Sequence, residues 1–196
     1  PGFAVLGYGK LGSRELGYGS DLDMIYLYEG CADGATRGAR PLPNEAFFAR
    51  LGQRLIHILT TRTPGGILYE VDMRLRPSGK SGPLVTSLAA FHEYQQNHAW
   101  TWEHQALVRA RPVAGNPVLA KQFAEVREDS LRRQRDPAKL KTEVREMREK
   151  MVAEKVDHDA TQADVKHDPG GIVDIEFMVQ YWVLRWAHAH PGLTRH

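Results

Sequence analysis

The sequence predicts an α+β protein, a sheet with flanking helices followed by a region that reads only as helices. Two short apolar runs of strand length, residues 3–6 and 21–28, flank a glycine-rich turn, and residues 67–77, ILYEVDMRLRP, alternate apolar with polar. From residue 117 onward apolar residues recur at helical spacing with no strand signal.

Composition sets outer bounds. A chain of 196 residues can bury a core without disulfides. Hydrophobic and charged fractions of 42% and 26% are those of an ordinary globular protein. The formal charge of +2 is too small to imply a nucleic-acid partner. A single cysteine, Cys31, excludes an internal disulfide framework and fits a reducing compartment. No apolar run reaches the length of a membrane span, and no signal peptide is visible, so a cytoplasmic location is expected with no membrane partner. The chain starts on Pro-Gly just before a strand, without an initiator Met, and is expected to be a piece of something longer.

Residues 3 to 28 organise the rest. Phe3 to Leu6 can form a buried strand, and Gly7, Gly9 and Gly12 let the chain turn tightly into a helix through Glu15 and Leu16. Such a turn offers N–H groups and a positive dipole end to phosphate, and Lys10 adds a mobile charge. A purely structural turn fits the same residues, and GYGKLG has the spacing of neither the dinucleotide fingerprint nor the P-loop. The next strand opens Ser20-Asp21-Leu22-Asp23. Residues two apart in a strand point the same way, so Asp21 and Asp23 present two carboxylates at one end of a sheet. Close carboxylates repel unless a cation compensates them, and Mg²⁺ is usually held by one or two carboxylates plus substrate phosphates. Ser and Asp also favour caps and turns, and these residues alone leave both readings open.

Residues 29–43 are loop-forming, rich in Gly, Pro and Ala. Asn44 is positioned to cap a helix that packs Phe47, Phe48, Leu51, Leu55, Ile58 and Leu59 into the core, and His57 on it is assigned no function. In the alternating run after Gly66, Tyr69, Val71, Met73 and Leu75 share one face and Glu70, Asp72, Arg74 and Arg76 the other. That polar face is either a solvated surface or, if this strand neighbours Asp21 and Asp23, a third carboxylate with two arginines for phosphate. Residues 77–87 read as a small-residue loop around Lys80, a flexible element near a nucleotide or a plain connector. Ser87 caps a helix to about Asn97, after which Trp100, Trp102 and Leu107 are expected to turn inward. Arg109 and Arg111, at the C-terminal end of this segment, would complement its helix dipole or face a triphosphate.

A boundary near Gly115 divides residues 1–115 from 116–196. Asn116-Pro117 and Asp136-Pro137 are cap-then-proline starts for helices over 117–130 and 137–154. Among the polar residues 155–169, His158, Asp159, His167 and Asp168 could be imagined as metal ligands, but an ordinary loop is preferred. Gly170-Gly171 precedes an amphipathic helix with Asp174 and Glu176 in its first turn.

GYGKLGSRELGYGSDLD, LYEVDMRLRPSGKSGPLVTS, WTWEHQALVRARPVAG, EVREMREKM and KHDPGGIVDIEFMVQ, in that order, closely resemble the glutamine synthetase adenylyltransferases. These belong to the nucleotidyltransferase superfamily that includes the polymerase beta type. The resemblance implies a polymerase-beta-like sheet domain over 1–115 and a truncated all-helical domain over 116–196. It also implies transfer of AMP from ATP to a tyrosine of glutamine synthetase, with release of pyrophosphate. GYGSDLD, LYEVDMRLRPSG and AWTWEHQALVRAR look like the C-terminal, adenylylating half of that bifunctional family. Asp21, Asp23 and Asp72 match its Mg²⁺-binding acids, with Asp72 also a candidate base. Gly9, Lys10, Ser20, Arg74 and Arg76 are implied nucleotide-binding residues, of which Lys10, Arg74 and Arg76 would face the leaving pyrophosphate. Lys10 departs from the Gly-Ser or Gly-Gly of the wider superfamily, and Ser13 stands where the family often has Gly. The implied partners are glutamine synthetase, ATP and the PII signalling protein. Rival readings are the adenylyl-removing half, which would phosphorolyse AMP-tyrosine to ADP, a non-catalytic nucleotide-binding module, and an antibiotic or RNA nucleotidyltransferase.

Overall fold

The spine of the sheet is the antiparallel pair β1 (Gly2–Gly7) and β2 (Leu22–Glu29), joined through the short helix α1 (Gly9–Ser13). Gly2 lies opposite Glu29 and Gly7 opposite Met24, so the pair runs in register along the whole of β1. Ala4, Leu6, Ile25 and Leu27 are fully buried on one face of the pair, and Met24 and Tyr26 are buried on the other, which is why β2 reads as a continuous apolar run. The computed structural model describes residues 2–31, 34–154 and 164–195. These form two units, residues 1–99 with 109–127 and residues 100–108 with 128–196.

In the first unit, α2 (Asn44–Thr60) buries Phe48 and Gly52 and half-buries Leu51, Leu55 and Leu59 around Tyr26, Met73 and Val85. Its apolar stripe is wider than the surface that receives it, so Phe47 and Ile58, expected in the core, stay 40% and 65% exposed. Asn44 does not cap this helix. It is the first helical residue, and its side-chain amide donates to the Cys31 carbonyl at 3.1 Å.

The expected strand over 67–77 is broken. A hairpin of β3 (Arg62–Thr63) and β4 (Gly66–Ile67) is followed by β5 (Val71–Asp72) alone. The reason is local chemistry at Asp72. Its Oδ1 accepts the main-chain N–H of Arg74 at 2.8 Å, an Asx turn that bends the chain where alternation predicted extension. Conversely, residues 85–87 of the expected loop form β6 (Val85–Ser87), because β2 offers them an edge. β5 and β6 both pair parallel with β2, with Asp23 beside Asp72 and Tyr26 beside Val85.

Ser87 caps α3 (Leu88–Asn97) as expected, its Oγ accepting the Ala90 N–H at 3.2 Å. After α4 (Thr101–Leu107), β7 (Arg111–Gly115) pairs antiparallel with β1 and completes a mixed five-stranded sheet. Next comes α5 (Pro117–Arg132), started by Asn116 Oδ1 accepting from Val118 and Leu119. Phe123 of α5 packs on Phe91 of α3 with ring centroids 5.7 Å apart, both fully buried.

The second unit holds α4, the end of α5, α6 (Pro137–Ala153) and α7 (Ile172–Trp186). Asp136 caps α6 through the Lys139 N–H at 2.7 Å, as its sequence predicted. Trp100, expected inward, is 70% exposed because it sits at the N-cap of α4, where its main-chain N–H donates to the buried Glu103. Arg148 on α6 donates to Asp174 at 2.5 Å and to the His167 carbonyl at 2.8 Å, tying the turn ahead of α7. α7 buries Val173, Val183 and Leu184, while Ile172, Ile175, Val179, Trp182 and Trp186 of its apolar face remain exposed. This α+β arrangement of a mixed sheet and helices is compatible with a nucleotidyltransferase-like fold. No helix among the described residues is long and apolar enough to cross a membrane.

Candidate functional site

Parallel pairing of β2 with β5 decides where the acids meet. Residues directly paired in a ladder point to the same side, so the Asp23–Asp72 register sets those two carboxylates next to each other. Asp21, one residue ahead of β2, points the same way as Asp23. The Leu22 N–H donates to the Glu70 carbonyl at 2.8 Å, which extends the pairing beside Asp21. One oxygen from each of Asp21, Asp23 and Asp72 lies within 4.8 Å of the others. Ligand oxygens on one octahedral Mg²⁺ are about 2.9–4.2 Å apart, so this spacing suits one ion after small side-chain adjustment, or two ions sharing a carboxylate.

The turn before β2 is built around Asp23. Tyr8 N–H donates to the Asp23 main-chain carbonyl at 2.9 Å. Gly9 has φ of 47°, and a Cβ there would overlap Asp23 Oδ2. The Asp23 carboxylate thus rests directly on the backbone of the glycine turn. Lys10 is exposed beside it. Ser20 acts locally: its Oγ accepts the Gly17 N–H at 3.1 Å and its N–H donates to the Gly17 carbonyl at 3.1 Å, closing the turn that leads to Asp21.

On the other side of the acids lies a cleft of about 470 Å³ lined by Asp21, Asp72, Arg74, Arg76 and Lys80, among others. Arg74, two-thirds exposed, is paired with Asp72: its Nε donates to Oδ2 at 2.7 Å and its Nη2 reaches the same oxygen. Burial pushes the Asp72 carboxyl up, but its hydrogen bonds from Arg74 and the charges of Arg74 and Lys80 outweigh that and hold it below the usual carboxylate range. A group held ionised suits a metal ligand better than a base that must accept a proton. Arg76 directs its guanidinium to main chain, with Nη1 donating to the Met73 carbonyl at 2.7 Å.

Arg109 and Arg111 turn out to secure α1. Arg109 Nη2 donates to Ser13 Oγ at 2.8 Å and to Glu15, while Arg111 Nε donates to the Gly12 carbonyl at 2.6 Å. Hydrogen bonding from Ser13 and the Arg109 charge, against slight burial, hold the Glu15 carboxyl below its ordinary range. The expected dipole was that of the segment carrying these arginines; Arg111 instead meets carbonyls at the end of α1, nearly a hundred residues earlier in the chain. Of the imagined polar-loop ligands, His158 and Asp159 lie outside the described residues. His167 Nδ1 is 2.7 Å from Asp164, and Asp168 accepts the Asp164 N–H.

The family profile for glutamate-ammonia ligase adenylyltransferase matches residues 1–126, well over half of the chain and all three acids. The chain belongs to this family. It is also 60% identical over 194 residues to a bifunctional glutamine synthetase adenylyltransferase/adenylyl-removing enzyme of Thioalkalivibrio sulfidiphilus (strain HL-EbGR7). A protein of the same description from Hahella chejuensis (strain KCTC 2396) is 59% identical over 197 residues. Each match covers 98% of this chain but 20% of the relative, so the chain spans about a fifth of the length of these adenylyltransferases.

Proposed function

We propose that this adenylyltransferase segment is the catalytic part of a nucleotidyltransferase that attaches AMP to a tyrosine of glutamine synthetase. The observation that carries the reading is the convergence of Asp21, Asp23 and Asp72 beside a cleft that Arg74, Arg76 and Lys80 line together with Asp21, Glu70 and Asp72, in a chain of this family. The fold proposed is a polymerase-beta-like sheet over residues 1–115, followed by a helical domain from residue 116 onward. PII is the regulator the family resemblance suggests for the longer protein.

Asp21, Asp23 and Asp72 are the residues that would hold Mg²⁺, whose chemistry there is to neutralise the triphosphate and lower the pKa of the attacking phenol. Gly9 keeps Asp23 in place, and Ser20 fixes the turn that presents Asp21. Lys10 and Arg74 supply positive charge for the leaving group. The tyrosine oxygen attacks the α-phosphorus, the bond from that phosphorus to the bridging oxygen breaks, and pyrophosphate leaves. The phenolic proton passes to solvent, because an Asp72 paired with Arg74 is a poor acceptor. Arg76, with its donors on carbonyls, shapes the cleft rather than touching phosphate.

Asp21→Asn, Asp23→Asn and Asp72→Asn should each lower Mg²⁺-dependent AMP transfer by at least about 10²-fold with the fold retained, the scale of losing one electrostatic group. Any of the three that transfers at the wild-type rate loses its assigned role. Unmodified synthetase with Mg-ATP should yield AMP-tyrosine and pyrophosphate. If instead only adenylylated synthetase with phosphate reacts, giving ADP and free tyrosine, the segment is the adenylyl-removing half.

A further inference from the structure

Residues 73–82 form a platform. Arg76 donates from Nη1 to the Met73 carbonyl at 2.7 Å, from Nη2 to the Lys80 carbonyl at 3.2 Å and from Nε to the Gly82 carbonyl at 3.4 Å. The main chain folds on itself as well, with Gly79 N–H donating to the Arg76 carbonyl at 2.8 Å and Ser81 N–H to the Ser78 carbonyl at 3.2 Å. Ser81 Oγ adds a bond to that same carbonyl at 2.7 Å. A guanidinium captures phosphate best through two parallel N–H donors, and Arg76 would have to release the loop to offer that geometry.

Lys80 stands in the short 3-10 turn Gly79–Ser81 of this platform, exposed, and lines the cleft with Asp21, Asp72 and Arg74. Its charge reaches Asp72. Arg74, the neighbouring cation, is tied to that same carboxylate. An ammonium on a four-carbon stem presents three donors and can follow non-bridging oxygens as they move, which a pinned guanidinium cannot.

We propose that Lys80 is a further residue, beside Lys10 and Arg74, that binds the polyphosphate of the nucleotide, and that Arg76 is a positioning residue that holds the Lys80 platform. The inference rests on the reading of the three acids as a nucleotide site. It moves the phosphate contact from Arg76, a residue that the family resemblance implied, to Lys80, whose loop the sequence left open between a flexible element near a nucleotide and a plain connector.

The test is calorimetric titration of Mg-pyrophosphate, Mg-ATP and AMP into the wild type, Lys80→Met, Lys80→Arg and Arg76→Lys. Losing one charge-assisted contact should weaken Mg-pyrophosphate and Mg-ATP by about 10- to 100-fold in Lys80→Met. AMP binding and the thermal midpoint should not change, and Lys80→Arg should recover most of the affinity. Arg76→Lys should weaken the same two ligands and make the 77–82 loop more sensitive to protease. Combining it with Lys80→Met should add little beyond the single loss. A Lys80→Met protein that binds Mg-pyrophosphate like the wild type, or that loses AMP equally, overturns the inference and leaves the nucleotide reading standing. A wild type that binds none of the three ligands overturns both.

Discussion

Gly9→Ala isolates the contact between the glycine turn and the Asp23 carboxylate. Gly9 has φ of 47°, in the left-handed region where an L-residue costs about 1–2 kcal/mol. For a chain of this size that is a fall in the thermal midpoint of about 2–8 °C. The added Cβ would also overlap Asp23 Oδ2, so the carboxylate must move. Displacing a reacting group by about 1 Å can cost about 10²-fold in rate. Gly19→Ala is the matched control: φ there is 78°, and nothing lies within 4 Å of its Cβ position. Both variants should lose similar stability in thermal unfolding, but only Gly9→Ala should lose AMP transfer and need more Mg²⁺ for half-maximal rate. Wild-type transfer by Gly9→Ala, or an equal loss in Gly19→Ala, would refute the reasoning.

Two further outcomes concern the scaffold. The Tyr26 hydroxyl is buried with no hydrogen-bond partner among the described residues, and burial pushes its phenol up to about 12. Tyr26→Phe should therefore be neutral or stabilising by up to about 1–2 kcal/mol in urea unfolding, and a clear loss of stability would show that the hydroxyl is satisfied. Asp174 is held below the ordinary range by hydrogen bonds from the Gly170 N–H and Arg148. A carboxyl with a depressed folded pKa stabilises above its unfolded value, about 3.9, and that contribution disappears as pH falls through the folded value. Asp174→Asn should then be less stable than the wild type near neutral pH, with the gap closing below about pH 4. A gap independent of pH would mean that the carboxylate charge contributes nothing.

Much of the local chemistry is readable along the chain. Ser87, Asn116 and Asp136 each start the helix that their residue type and the following pattern predict, because a cap involves only the next three residues. The common direction of Asp21 and Asp23 follows from strand alternation in the same way. Local pattern failed where a side chain competed with it. The alternation over 67–77 was polar-apolar in the right order, yet Asp72 captured the Arg74 N–H and Arg76 captured three carbonyls, so the segment turned. Trp100 failed for a related reason: the N-cap position projects it outward whatever its hydrophobicity.

By itself, then, the sequence determined which residues could cap, turn or alternate, the carboxylate pair at the head of β2, and the family. Those properties depend on neighbours a few residues apart or on an ordered set of motifs. Only the tertiary structure decided that β5 lies parallel to β2 with Asp72 beside Asp23. It alone made a strand of residues 85–87, placed Lys80 at the cleft and committed Arg109 and Arg111 to partners at the end of α1. The physical reason is that strand pairing and side-chain capture join residues some fifty to a hundred positions apart, and no periodicity in the intervening chain encodes which edge or which carbonyl will be within reach.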